Sequence, residues 1–175
     1  MSGTIAATLL ATIGATWLAA DIYVSNRQKQ RHLVLAEQIH NVTLAAQLYA
    51  QDHGEHLPPA DHWKTALRPY LMLPLAPLPP TLSGSPRQIV MNRGLSGKSL
   101  YDLDSPSDVI VFFESASTRA DAADTLSTLP ASNSGEQMYL GHADGHWENY
   151  YSTALRSEMI RRDQEALRRH VATGR

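Results

Sequence analysis

No ionisable side chain occurs before Asp21, and that uncharged start constrains this 175-residue chain more than any other feature. Twenty helical residues rise about 30 Å, the thickness of a bilayer's hydrocarbon core. Trp17 and Tyr23 stand toward one end of the stretch, where amphipathic rings act as interface anchors. A cleaved secretory signal wants a basic leading segment, and Met1-Ser2-Gly3-Thr4 has no Lys or Arg. The expectation is a retained, single-pass transmembrane helix over residues 1–24.

The small residues of this segment are ordered. Gly3, Ala7, Ala11, Ala15 and Ala19 recur at every fourth position, and Thr4, Thr8, Thr12 and Thr16 run beside them. A four-residue step turns a helix by about 400°, so both stripes drift slowly round the surface as one groove edged by hydroxyls. In lipid, small side chains let backbones approach and Thr can bond across helices. The stripe therefore predicts a helix-packing face toward other membrane-protein subunits. Arg27, Lys29 and Arg31 follow the span, and by charge alone they would hold the C-terminal bulk in the cytoplasm.

Composition closes off other classes. Mean hydropathy of −0.28 with 18% charged residues excludes both a multi-pass membrane protein and a highly charged disordered chain. A net charge of −2 leaves no basic footprint for nucleic acid. Without cysteine there is no disulfide framework, thiolate metal site or cysteine nucleophile.

From Asp21 the pattern stays helical. Leu35, Ile39, Val42, Ala45 or Ala46, and Tyr49 form one apolar stripe, which Gly54 ends as a left-handed cap and Pro58-Pro59 cannot resume. The prediction is one helix of about fifty residues. Asp61 is placed as the N-cap of a short helix through Trp63, Ala66 and Leu67. Residues 69 to 86 hold six prolines and read as an extended connector. Strands are expected at 88–92, 109–113, 137–140 and 146–150. Residues 115 to 135 read as loop, with a helical turn near 120–126. Asp144 and Gly145 are taken as a two-residue hairpin turn. Residues 152 to 171 read as a basic amphipathic helix with Leu155, Met159, Leu167 and Val171 on one side.

A long N-terminal helix followed by a small antiparallel sheet resembles type IV pilins and pseudopilins, an α+β class. The wording is similar to one bacterial pilin-like group with a prepilin-type N-terminal segment and a C-terminal Asp-Gly hairpin. LAAQLYAQDHGEHLPPADHWKTALRPYL resembles the end of their long helix, MNRGLSGKSLYDLDSPSDVIVFFES their loop and central strand, and MYLGHADGHWENY their last hairpin. The family's Gly before Phe-Thr-Leu-Ile-Glu is missing, no Glu stands near the start, and Ser134 occupies the place of a His found in relatives. The resemblance implies three parts: a transmembrane helix over 1–24, a pilin-like periplasmic domain over 25–150 and an added helix over 151–175. It also implies a bacterial cytoplasmic (inner) membrane location with most of the chain periplasmic.

Chemistry is sparse. Asp52, His53, Glu55, His56, Asp61 and His62 crowd a helix exit, but lack the one-face geometry of a metal-binding helix. With Asp144 and Gly145 as the whole turn, His142 and His146 fall on opposite faces, which argues against joint ligation. Asp102, Asp104 and Asp108 do not space as a calcium loop, and Pro106 interrupts them. No nucleophile elbow occurs, and Ser96-Gly97-Lys98-Ser99 lacks the upstream glycine of a phosphate loop. No catalytic, metal or cofactor site is assigned. The expected function is a non-enzymatic, membrane-anchored structural or accessory subunit of a larger respiratory, photosynthetic or secretory assembly. Its partners would be lipid and other membrane-protein subunits, in a hetero-oligomer rather than a homopolymer. A pilus or pseudopilus filament subunit and a periplasmic ligand- or metal-binding module are the alternatives.

Overall fold

The computed structural model describes residues 2–81, 86–117, 119, 121–130, 137–150 and 152–173, with side chains described between 19 and 166. Helix α1 (Ser2–Asp52) runs unbroken through the predicted fifty residues. Its apolar stripe is the reason it packs: Leu35, Ile39, Val42 and Ala45 are fully buried, while the intervening positions include exposed residues. Gly54 ends it in the left-handed region (φ +65°), and Glu55 follows at φ +64°.

Asp61 does not cap the next helix. Residues Ala60–His62 form a 3-10 turn, so α2 (Trp63–Leu67) begins two residues later, behind His62 and without a side-chain cap. Trp63 is fully buried, its ring 5.1 Å from that of Phe112, and its Nε1 donates to the Ala122 carbonyl (3.1 Å).

The sheet comprises β1 (Gln88–Asn92), β2 (Ile110–Ser115), β3 (Ala123–Asp124), β4 (Met138–His142) and β5 (Trp147–Tyr150), in the order β3-β1-β2-β4-β5. Four of these strands pair antiparallel as expected. The fifth corrects the sequence reading, because β3 pairs parallel to β1 and makes the sheet mixed. A two-residue strand inside a polar stretch carries no alternation to betray it.

Alternation sorts the strands onto two faces. Ile89, Met91, Val111, Phe112 and Tyr139 join the α1 stripe in one core. Val90, Ile110, Phe113, Met138, Leu140 and Tyr150 join Met159 of α3 (Thr153–Thr173) in the other. An irregularity in β2 between Ile110 and Phe112 lets Val111 and Phe112 both serve the α1 side.

Among the described residues, no helix is long and apolar enough to cross a membrane. This corrects the single-pass assignment and the inner-membrane localisation that followed from it. From Ala19 onward α1 carries Asp21, Arg27, Lys29 and Arg31, too many charges for a hydrocarbon core. Arg31 also turns inward, where it is buried against Glu114 of β2, so its charge serves the fold rather than orientation.

Candidate functional site

Two regions of the molecule carry side chains that the two apolar cores do not account for. The first is the stretch of α1 ahead of the domain. Among the described residues its buried stripe begins at Arg31, whereas Ala19 to Arg27 are all exposed, among them Ile22 (54%), Tyr23 (62%) and Val24 (41%). The Arg27 guanidinium lies 5.7 Å over the Tyr23 ring, so the predicted anchor Tyr23 is held by its own helix. Of the predicted packing face, Ala19 is exposed. Gly3, Thr4, Ala7, Thr8, Ala11, Thr12, Ala15 and Thr16, with Trp17, lie outside the residues whose side chains are described.

The second region is the β4–β5 hairpin, where the turn differs from the predicted one. Tyr139 pairs with Asn149, Leu140 with Glu148 and Gly141 with Trp147, so His142 faces His146 across a three-residue loop, Ala143-Asp144-Gly145. The Gly145 amide donates to the His142 carbonyl (3.1 Å), and Gly145 alone in the loop takes positive φ (+94°). This is a type I turn closed by a glycine bulge, not a two-residue turn with both residues left-handed. The extra loop residue shifts the register by one, and a shift by one exchanges faces.

His142 and His146 consequently leave the sheet on the same side, with rings stacked 4.2 Å apart at 10°. Glu148, two residues beyond His146, joins them, its Oε1 lying 2.9 Å from His142 Nε2. One donor atom from each of the three residues lies within 4.8 Å of the others. His142 is 2% exposed, and its Nδ1 has no hydrogen-bond partner among the described residues. Asp144 Oδ1 accepts from the His146 backbone amide (3.1 Å) and sits 2.5 Å from His146 Nδ1. From α3, Arg162 reaches Glu148 Oε1 and Asp108 Oδ1, each at 3.2 Å.

The electrostatics follow these contacts. The His142 ring beside Glu148, with Arg162 and against the effect of burial, holds its carboxyl below the usual carboxylate range. Burial pushes Asp144 up, but the bonds to His146 outweigh it and the net direction is down. Both carboxylates are therefore charged at neutral pH. Two imidazoles and a carboxylate form a donor set that zinc and similar divalent ions take.

The histidine-rich helix exit is arranged differently. His53 Nδ1 bonds the Tyr49 carbonyl (2.8 Å), with its ring stacked on Tyr49, and His56 Nδ1 bonds the Gly54 carbonyl (2.8 Å). Asp52 accepts from Tyr70 Oη (2.9 Å), and Asp61 lies 3.6 Å from Arg93. These side chains close the turn among themselves. Of the acidic loop, Asp108 is committed to Arg162.

Comparison with family models, with curated proteins and with solved structures finds no match for this chain.

Proposed function

We propose that the chain is a non-catalytic structural subunit, pilin-like in plan, whose N-terminal helix packs against helices of other protein subunits in a hetero-oligomeric assembly. The observation that carries this reading is the exposure of Ile22, Tyr23 and Val24 on a helix whose buried positions, among the described residues, begin at Arg31. A helix of 51 residues extends about 76 Å, well beyond what a five-stranded sheet can cover. Leaving apolar side chains in water is unfavourable by about 25 cal/mol per Å², so a partner that covers them gains that burial.

A photoreactive amino acid at position 22, introduced into the full chain in its native cells, tests this. The expected result is a covalent adduct with a different protein, lost when Val24→Lys is added. Adducts confined to second copies of the chain would replace the reading with a homopolymer. No adduct at 22, 23 or 24 would overturn the subunit reading.

A further inference from the structure

We propose that His142, His146 and Glu148 bind one divalent transition-metal ion, zinc foremost, at the seam between the β4–β5 hairpin and α3. The donors are placed by backbone geometry. The three-residue loop pairs His142 with His146 directly, and the two-residue period of β5 puts Glu148 on their side of the sheet. Their donor atoms lie within 4.8 Å of one another. A zinc ion with ligands at about 2.0–2.2 Å needs donors about 3.3 Å apart, so the cluster must close by up to about 1.5 Å. The residues able to move are the outer ones: His146 is 42% exposed and Glu148 29%, whereas His142 is fixed in the core.

His142 gives the independent reason to expect a ligand. A buried imidazole with neither ring nitrogen hydrogen-bonded among the described residues leaves polar atoms unsatisfied, at a cost of about 1–3 kcal/mol each. Its Nε2 approaches Glu148 at 2.9 Å but is not aligned as a hydrogen bond. A cation shared between that Nε2 and the Glu148 carboxylate satisfies both of these atoms.

The surroundings fit a metal centre as well. Asp144 holds His146 at Nδ1, which makes Nδ1 the proton-bearing nitrogen and leaves Nε2 with the lone pair for coordination. Among the described residues Arg162 is the one cation paired with the cluster, opposed by the carboxylates of Glu148, Asp144 and Asp108, so their field favours a positive ion. When the metal takes Glu148, Arg162 keeps Asp108, and α3 stays docked. Three protein ligands leave a fourth zinc position for water or for a donor from a partner.

The test uses the purified full chain, stripped with a chelator and titrated with zinc chloride or cobalt(II) chloride. One equivalent of zinc should bind per chain, and cobalt should give the visible absorption of a low-coordinate nitrogen and oxygen site. His146→Gln and Glu148→Gln, both on outer side chains, should weaken zinc at least a hundredfold while the metal-free chains still unfold cooperatively, Glu148→Gln at a lower temperature because Arg162 loses one of its two carboxylates. Asp144→Asn should weaken it about 10- to 100-fold. Binding that survives both His146→Gln and Glu148→Gln, and therefore uses the remaining histidines, would overturn the assignment. So would less than one-tenth of an equivalent bound to the unmodified chain at saturating zinc.

Discussion

Arg31 and Glu114 show how much a single pair can decide. Arg31 Nη2 donates to Glu114 Oε1 between α1 and β2, at sites 4% and 0% exposed. Burying two charges costs several kcal/mol each, and their attraction and bonds repay this only while both are present. Arg31→Met strands the carboxylate in the core and should lower the unfolding free energy by about 3–5 kcal/mol in a urea titration. The double change Arg31→Met with Glu114→Leu should recover most of the loss, because an apolar pair of similar volume has no charge to desolvate. An unchanged urea midpoint for Arg31→Met alone would show that Glu114 is not held in the low-dielectric site described. In the sequence, Arg31 is one of three basic residues after an uncharged run, and nothing local distinguishes it from Arg27. Its partner lies 83 positions away, and pairing at that range is not written in local pattern.

At the scale of elements, α1 and β4 meet at Gly141. A β-carbon there would stand 2.0 Å from Thr43 Oγ1, and Thr43 is committed to the Ile39 carbonyl at 2.6 Å. Helix and sheet can touch this closely only because the strand has no side chain at that point. Gly141→Ala should therefore destabilise the domain by about 1–3 kcal/mol, and adding Thr43→Ala should restore part of that. Additive losses in the two single variants, measured by thermal unfolding, would place the strain elsewhere. The same strand shows where sequence reading stops. α1, β1, β2 and α3 were legible because long periodic or β-branched runs define them. The hairpin's position was legible too, from Asp144-Gly145. Its register was not, since an Asp-Gly pair serves both a two-residue turn and a three-residue loop in which only the glycine is left-handed. That one-residue ambiguity separates two histidines on opposite faces from two stacked rings. The available cue lay in pairing Met138 with Tyr150, two large residues that the observed register buries in the same core.

For the whole molecule, the sheet is a partition with a different helix on each side, and α3 is the side that sequence pattern described least. It reads as a charged surface helix, with Arg161 bridging Glu158 (2.5 Å) and Glu165 (2.6 Å) along its exposed edge. Its inner edge is anchored by polar groups: Asp163 Oδ1 accepts from the Ile110 backbone amide (2.8 Å), and Arg162 ties Asp108 and Glu148. A helix so rich in charge gives no sign of which carboxylate it will bury. Burial pushes the Asp163 carboxyl up to about 6, although the Ile110 amide and the Lys98 charge pull the other way. Asp163 thus favours the fold when protonated. Its stabilisation is full below the unfolded value near 3.9 and is lost as pH rises through about 6, a difference of about 3 kcal/mol at most. Asp163→Asn keeps an oxygen for the Ile110 amide and removes the ionisation. The variant should match the unmodified protein in urea near pH 4 and exceed it by about 1–2 kcal/mol at pH 7.5, with the divergence centred between pH 4 and 6. Parallel stability curves across that range would mean that the Asp163 carboxylate is solvated, and that α3 is held to the sheet by its apolar contacts and by Arg162 without it.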